Sequence, residues 1–176
     1  MQLSSQEEYG LRCLLQVARH EDLEPLQIAE IAQREGLSFE YTAKLMCSLR
    51  QGRLVISTRG QSGGYRLARP ASEISIWEAV TVLGGPLFSD EFCSSHPGNL
   101  RDCIHSTDCS VRALWRWVGN EISKILRHIS LADMDRHEKP MGLWLGSDNF
   151  STVTNEEFNK TKANDLVQIG KIAPNQ

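Results

Sequence analysis

Two short helices separated by a tight turn constrain the fold of this chain more than any other feature of its sequence. The first is predicted to begin at Pro25, a residue type favoured at the first helical position, and to end at Gly36. Ser38 can cap the second helix only two residues later, and Gly52 is its expected stop. Their apolar stripes are Ile28, Ile31 and Ala32 in the first helix and Tyr41, Leu45 and Leu49 in the second. Two helices joined in this way form a helix-turn-helix motif.

A β-hairpin is predicted directly after this motif. Residues 54–58 are rich in β-branched side chains, residues 59–64 are rich in glycine, and Tyr65–Leu67 supply the return strand. A helix-turn-helix followed by a hairpin is the winged-helix arrangement. The sequence therefore predicts a mainly α fold with one small β-hairpin.

A further helix is predicted before the motif. Ser4 or Ser5 can serve as its N-cap, with Glu7 or Glu8 three residues on, which is the pattern of a capping box. Leucine and alanine residues at helical spacing follow, and the helix is expected to run to about Arg19.

The charge of the chain is distributed unevenly. The formal net charge is −3, but Ser38–Arg69 contains six basic residues and one acidic residue, a local net charge of +5. Met1–Leu37 contains three basic and seven acidic residues, a net charge of −4. A basic segment that coincides with a helix-turn-helix and a hairpin indicates a nucleic-acid surface, with a merely solvated face as the alternative.

Ser110 is predicted to cap a long helix, and a shorter helix, over Ile76–Leu83, precedes it. The apolar residues of the long helix recur every three or four positions: Val111, Leu114 or Trp115, Val118, Ile122, Ile125 and Ile129. A long stripe that follows an already closed small domain favours packing against a second copy of the chain. The alternative is packing against the chain's own body.

These elements divide the chain into three predicted parts. Residues 1–70 form a winged helix-turn-helix domain, and residues 71–132 contain the linker helix, a cysteine loop and the dimerisation helix. Residues 133–176 form a polar tail, expected to be irregular and partly disordered from about Met134. No apolar run approaches the roughly 20 residues that cross a bilayer. Because the first residues also lack a signal pattern, we expect a cytoplasmic protein without membrane association.

Three of the five cysteines lie in one segment that has neither helical nor strand periodicity. Cys93, Cys103 and Cys109 are separated by nine and five residues. Thiolates are soft ligands that suit iron–sulfur clusters, zinc or copper(I), and a loop allows them to converge on one centre. The spacing matches neither a zinc ribbon nor a ferredoxin, and three unrelated thiols are the alternative. Cys13 and Cys47 fall inside predicted helices, where we expect small core residues.

The order of these features resembles the IscR/NsrR-type regulators, which are winged-helix iron–sulfur transcription regulators of the Rrf2 family. The resemblance covers about residues 1–132. It rests on the motifs Ile28-Ala29-Glu30-Ile31-Ala32, Arg59-Gly60-Gln61-Ser62-Gly63-Gly64-Tyr65-Arg66-Leu67 and Ala113-Leu114-Trp115, together with the cysteine loop. It implies a homodimer that binds double-stranded DNA at a palindromic operator and is not an enzyme. It also implies one iron–sulfur cluster per subunit, with [2Fe-2S] favoured and [4Fe-4S] as the other form, whose state tunes DNA affinity.

The sequence departs from the family at the expected fourth ligand. The position three residues after the last cysteine, often histidine in the IscR branch, is Arg112, and arginine cannot serve as that ligand. Some relatives use an acidic residue from the partner subunit's first helix, which corresponds here to Glu8. His96, His105 and Asp108 lie in the cysteine loop and are alternatives. Helix capping is the competing role for Glu8.

The resemblance also implies which residues contact DNA. Ser38, Tyr41 and Lys44 would meet base edges or phosphates, while Arg50 and Arg53 would neutralise phosphates. Arg59 would enter the minor groove. The glycines of the hairpin tip would allow a tight turn and close approach of the backbone: Gly60, Gly63 and Gly64.

Two other functions compete with this interpretation. The first is a winged-helix regulator with a structural zinc or a thiol redox switch and no cluster. The second is an enzyme in which Cys109 is a nucleophile and His105 its base, although no motif orients such a pair.

Overall fold

The computed structural model describes residues 4–20, 24–60, 63–85, 97, 99, 101–105 and 107–146. The chain divides into two compact units, residues 1–135 and residues 136–176. The described residues of the first unit form five α-helices and one two-stranded sheet, and those of the second form one α-helix. This mainly α architecture with one hairpin confirms the predicted fold class.

Helix α1 spans Ser5–Ala18 and begins with a capping box. The Ser4 hydroxyl accepts a hydrogen bond from the Glu7 N–H at 3.3 Å, and the Glu7 carboxylate accepts one from the Ser4 N–H at 2.7 Å. Two backbone donors that the first turn would otherwise leave unpaired thus have partners. The cap therefore uses Ser4 and Glu7, and Glu8 has no part in it.

The helix-turn-helix consists of α2, Ile28–Glu35, and α3, Phe39–Gln51. Helix α2 ends at Gly36, whose backbone is left-handed with φ of 67°. Ser38 caps α3, because its hydroxyl accepts a 3.2 Å hydrogen bond from the Tyr41 N–H. The turn between the helices is therefore built as the sequence predicted.

The predicted start of α2 at Pro25 is wrong. The next residue, Leu26, pairs with Tyr65 of the hairpin: its N–H donates to the Tyr65 carbonyl at 3.0 Å, and its carbonyl accepts the Tyr65 N–H at 2.9 Å. The Leu26 side chain is also buried. An extended residue held in this way cannot belong to a helix, so α2 begins only at Ile28.

The hairpin, hereafter the wing, consists of β1, Val55–Thr58, and β2, Gly64–Leu67. The strands are antiparallel, with Val55 opposite Leu67 and Thr58 opposite Gly64. The bridge from Leu26 to Tyr65 attaches the wing to the segment that enters α2. The wing is therefore fixed to the helix-turn-helix at two points, through the end of α3 and through this bridge.

Helices α4, Ile76–Gly84, and α5, Ser110–Arg127, are the other α-helices among the described residues of the first unit. After α5 the chain returns to the start of α4, where the Leu131 N–H donates to the Ile74 carbonyl at 2.8 Å. Ile129 and Leu131 are buried there. The C-terminal end of α5 is thereby anchored to the core, which lies among α1, α3 and α4. Its largest fully buried side chains include Leu14, Ile31, Leu45, Met46, Leu49, Leu54, Ile74 and Leu131.

A short helix occupies part of the stretch expected to be irregular after Met134. Helix α6 spans Glu138–Leu145. Pro140 lies in its first turn, where a missing backbone N–H breaks no helical hydrogen bond. Within this second unit the Arg136 guanidinium lies 4.7 Å from the centre of the Trp144 ring. A cation–π contact therefore supplements the weak propensity of a two-turn helix.

Candidate DNA interface and thiol site

Helix α3 presents two different surfaces at its first turns. Ser38 and Lys44 are exposed, and because the Ser38 oxygen serves as acceptor in the cap, its O–H remains available as a donor. Tyr41 is half-buried, and its ring lies edge-on to that of Tyr9 in α1, with 6.2 Å between ring centres. The three residues predicted to read DNA are thus placed together at the start of α3, but the Tyr41 ring is partly engaged by α1.

The basic side chains of α3 and the wing differ from those elsewhere in their pairing. Five of them form no ion pair within the described part of the chain: Lys44, Arg50, Arg53, Arg59 and Arg66. All five are exposed. By contrast, Arg12 of α1 contacts Glu35 at 2.7 Å, and Arg19, the C-cap of α1, contacts Asp135 at 2.9 Å. The unpaired cations concentrate positive potential on the face formed by α3 and the wing.

The backbone at both ends of β1 adopts conformations that sequence alone did not assign. Arg53 has φ of 59°, the left-handed region, although Gly52 directly precedes it. A Cβ at Gly52 would collide with Val82 of α4, so the glycine is needed for helix packing and the strained conformation falls on the next residue. Gly60 at the wing tip has φ of 114°, which a side chain would strain.

A groove of about 380 Å³ separates the wing from the helix-turn-helix. Its walls include Ile28 at the start of α2, Ser57 and Thr58 of β1, and Phe39, the first residue of α3. The Phe39 side chain is 52% exposed and lines this groove. Sequence analysis missed Phe39, and the available signal was its place outside the apolar stripe of α3.

Two of the three loop thiols are described. Cys103 and Cys109 are half-buried, and neither forms a disulfide. Cys109 is the N-cap of α5, and its Sγ accepts a 3.4 Å hydrogen bond from the Arg112 N–H. The predicted cap at Ser110 is therefore wrong by one residue, because sulfur takes the role expected of the serine hydroxyl. Cys93 lies outside the described residues, as does His96.

No group of three potential metal ligands converges among the residues that the structure describes. The described loop residues His105 and Asp108 are exposed. The other two cysteines belong to helices. Cys13 is completely buried, as predicted, whereas Cys47 on α3 is only half-buried, which corrects its assignment to the core.

Glu8 is exposed on the first turn of α1. The neighbouring Glu7 carboxylate provides the capping box, so the competing role considered for Glu8 is filled by another residue. Its carboxylate attracts the Arg12 guanidinium, which lies one turn further along α1. A carboxylate in this position is accessible to a second molecule.

The apolar stripe of α5 is covered at one end and exposed at the other. Val111 is 59% exposed and Leu114 is 52% exposed, whereas Ile129, just past the helix, is only 6% exposed. The helix has 18 residues and is therefore about 27 Å long. The end that follows Cys109 thus leaves its apolar side chains without cover from the described residues of the first unit.

A helix-turn-helix whose second helix and wing carry unpaired cations defines a winged-helix DNA-binding protein. The Rrf2 family model, described as "Iron-dependent Transcriptional regulator", matches residues 3–137. The chain belongs to this family, whose members are transcriptional regulators and not enzymes. The enzymatic interpretation of Cys109 and His105 is therefore wrong.

Relatives of known name agree with this assignment. The chain is similar to the HTH-type transcriptional regulator IscR of Vibrio atlanticus, with 34% identity over 76% of this chain and 75% of the relative. Among solved structures, T. potens IscR has 32% identity and a TM-score of 0.60, over 76% of this chain and 85% of that one. The oxidized form of Staphylococcus aureus CymR has 26% identity and a TM-score of 0.60, over 78% and 98%. The protein is thus a DNA-binding transcriptional regulator. No helix in the described ranges is long and apolar enough to cross a membrane.

Proposed function

We propose that this regulator is a cytoplasmic homodimer that binds a palindromic operator and adjusts its affinity through an iron–sulfur cluster held by Cys93, Cys103 and Cys109. The DNA-binding part rests on the contrast between the unpaired cations of α3 and the wing and the paired cations of α1. The sensing part rests on two free thiols, that of Cys109 at the N-cap of α5 and that of Cys103 in the segment before it.

The exposed side chains divide into base-reading and phosphate-binding groups. Ser38 and Lys44 on the first two turns of α3 are positioned for base edges and neighbouring phosphates in the major groove. Arg50 and Arg53 at the end of α3 are suited to phosphates, and Arg59 at the wing tip is suited to the minor groove. The close turn at the tip, built from Gly60, Gly63 and Gly64, would let the backbone approach the duplex.

Salt dependence tests the DNA contacts. A duplex is first selected from a random pool with the full-length protein, and binding is then measured between about 50 and 200 mM salt. Arg50→Gln and Arg59→Gln should each weaken binding and reduce the slope of log affinity against log salt by about 1. Arg19→Gln, which removes an equal charge from a paired residue of α1, is the control and should leave the slope unchanged. Equal slopes for all variants would contradict the proposed contacts.

The exposed end of α5 is the surface where we place a second copy of the chain. Two-fold pairing of identical helices would cover the apolar side chains on both subunits at once, and it would match a palindromic operator. Leu114→Glu should therefore yield a monomer in sedimentation experiments and lose most operator affinity. Asn120→Glu, on the opposite face of the same helix, should remain dimeric. A dimeric Leu114→Glu protein would place the interface elsewhere.

Cys103 and Cys109 fit a soft inorganic centre by their chemistry. Both thiols are free, and the Cys109 Sγ accepts a hydrogen bond from the Arg112 N–H in the first turn of α5. We assign Cys93 as the third ligand and the exposed carboxylate of Glu8 of the partner subunit as the fourth. When bound, the cluster supplies a centre whose loss or oxidation reports iron or redox conditions. We favour [2Fe-2S], and [4Fe-4S] is the other form considered.

Anaerobic purification with iron and sulfide counts tests the ligand set. The wild-type protein should contain iron and sulfide in equal amounts and absorb visible light, and Cys103→Ser or Cys109→Ser should abolish both. Glu8→Ala should alter the spectrum or the iron content, whereas Glu7→Ala should lower stability through loss of the cap and leave the spectrum unchanged. Zinc without iron or sulfide in the wild-type protein would contradict the cluster and support a structural metal.

A further inference from the structure

Tyr9 and Arg12 of α1 form a cluster with Tyr41 of α3 and Glu35 of α2, hereafter the interhelix clamp. The Tyr9 and Tyr41 rings meet edge-to-face, with 6.2 Å between their centres and 84° between their planes. The Arg12 guanidinium lies 5.4 Å from the centre of the Tyr9 ring. One tyrosine of α1 is thus held between a cation and the aromatic ring of the recognition helix.

The cation of the clamp is itself fixed. Glu35 has a side chain only 7% exposed, and its carboxylate accepts a 2.7 Å hydrogen bond from Arg12 Nε and a 2.5 Å bond from Gln16 Nε2. The hydrogen bond that Arg12 donates to Glu35 raises the pKa of Arg12, so the guanidinium keeps its charge. The interhelix clamp therefore joins helices α1, α2 and α3, hereafter the reading head. It does so at the end of α2 and the start of α3.

The position of Tyr9 in the sequence connects the interhelix clamp to Glu8, the proposed fourth ligand. Tyr9 directly follows Glu8, and consecutive residues of a helix point about 100° apart. Glu8 accordingly faces solvent while Tyr9 faces α3. Tyr41, in turn, donates its N–H to the Ser38 cap and lies one turn before Lys44. A shift of the first turn of α1 would therefore displace the ring that supports the DNA-reading end of α3.

We propose that Tyr9 is a positioning residue that couples the ligand position Glu8 to the recognition helix. This inference rests on the proposed function, because it assumes that the first turn of α1 responds to the metal centre. A ligand can shift a conformational equilibrium only if an interaction differs between the two conformations. The edge-to-face contact of Tyr9 and Tyr41 is that interaction in this proposal, because it forms when α1 and α3 keep their spacing and is lost when α1 moves. Tyr9 itself contacts no DNA in this scheme.

The test compares Tyr9→Leu, which removes the ring, with Tyr9→Phe, which retains the ring and loses only the hydroxyl. For each protein, operator and random-duplex affinities are measured without metal and after anaerobic loading with iron and sulfide. In the metal-free form, Tyr9→Leu should lose roughly tenfold in its preference for the operator over random duplex, with an unchanged salt slope. Tyr9→Phe should behave like the wild type. A merely structural role would lower the melting temperature without changing this preference.

The coupling between the metal centre and the recognition helix is measured by comparing operator affinity before and after loading with iron and sulfide. Allosteric couplings commonly change affinity by about 5- to 150-fold. The loaded-to-unloaded affinity ratio of the wild type should lie in that range and fall to within about twofold of unity in Tyr9→Leu, at unchanged iron content. Arg12→Gln, which removes the cation and keeps both rings, should reduce this ratio partially. It replaces Tyr9→Leu as the test variant if Tyr9→Leu does not fold. A wild-type ratio retained by Tyr9→Leu would overturn the coupling alone. A ratio of unity in the wild type would overturn the proposed function and the coupling with it.

Discussion

The thiols of Cys13 and Cys109 lie in opposite environments. Cys13 is fully buried in the core of α1, and desolvation raises its pKa to about 12, so the thiol stays neutral. Cys109 is half-buried at a helix N-terminus and receives a backbone N–H. Of the two sulfurs, only that of Cys109 is accessible to a metal or an oxidant.

Thiol labelling checks this difference. In metal-free native protein at pH 8, iodoacetamide should modify Cys103 and Cys109 within minutes to hours, while Cys13 reacts only after unfolding. Mass spectrometry of the digested protein measures each site. Modification of Cys13 at the same rate as Cys109 would show that the core of the reading head opens freely.

Arg53 combines a strained backbone with a proposed phosphate contact. Its φ of 59° belongs to the left-handed region, which L-residues adopt at a cost of about 1 kcal/mol. Glycine avoids this cost, but its greater conformational freedom in the unfolded chain offsets part of the gain. Arg53→Gly should therefore be more stable than Arg53→Ala by about 0.5–1 kcal/mol in denaturant unfolding. Both variants should lose the same operator affinity, because both lack the guanidinium. Equal stability of the two would mean that the strain is absent in solution.

At the scale of elements, the wing depends on a close contact that sequence analysis did not reveal. A Cβ placed on Gly64 would lie 2.7 Å from the carbonyl oxygen of Leu26, and this backbone cannot retreat without losing its bridge to Tyr65. Gly64→Ala should therefore lower the free energy of unfolding by about 1–3 kcal/mol and weaken operator binding by detaching the wing.

Gly142→Ala provides the control for this substitution, because nothing lies within 4 Å of the added methyl group. In helix α6 it should be neutral or slightly stabilising. Thermal unfolding and operator titration measure both proteins. If Gly64→Ala matched Gly142→Ala in both measurements, the Leu26 bridge would have no part in holding the wing.

The elements predictable from the sequence are those that local chemistry defines. The Ser4 and Ser38 caps, the Gly36 stop and the β-branched run of β1 act within a few residues, and the structure has them where expected. The start of α2 was mispredicted because Leu26 is held by Tyr65, far along the chain. Such tertiary pairing overrides a favourable proline and leaves no local trace.

The candidate site was predictable in part for the same reason. Unequal charge distribution identified Lys44, Arg50 and Arg59, because charge is a property of composition. The partial burial of Tyr41 against Tyr9 and the exposure of Phe39 depend on how α1 and the wing pack on α3, which periodicity does not encode. These two features could therefore be identified only from the structure.

At the scale of the whole molecule, α5 connects the cysteine segment to the helices that support the DNA-binding surface. The C-terminal end of this helix is anchored beside α4, while its N-terminal end carries Cys109 and exposed apolar side chains. We propose that a second copy covers this end and contributes its Glu8 to the same metal centre as the thiols. Ligand binding and dimer geometry would then be linked, and a change at the thiols would alter the spacing of the two reading heads.

The central claim is that the thiol loop controls operator affinity. The direct measurement is the operator dissociation constant at one fixed salt concentration for anaerobically purified wild-type protein and for the Cys93→Ser, Cys103→Ser, Cys109→Ser variant. The account predicts that the two constants differ by at least about fivefold while binding to random duplex is the same. Equal operator constants for a cluster-containing wild type and the thiol-free variant would contradict it.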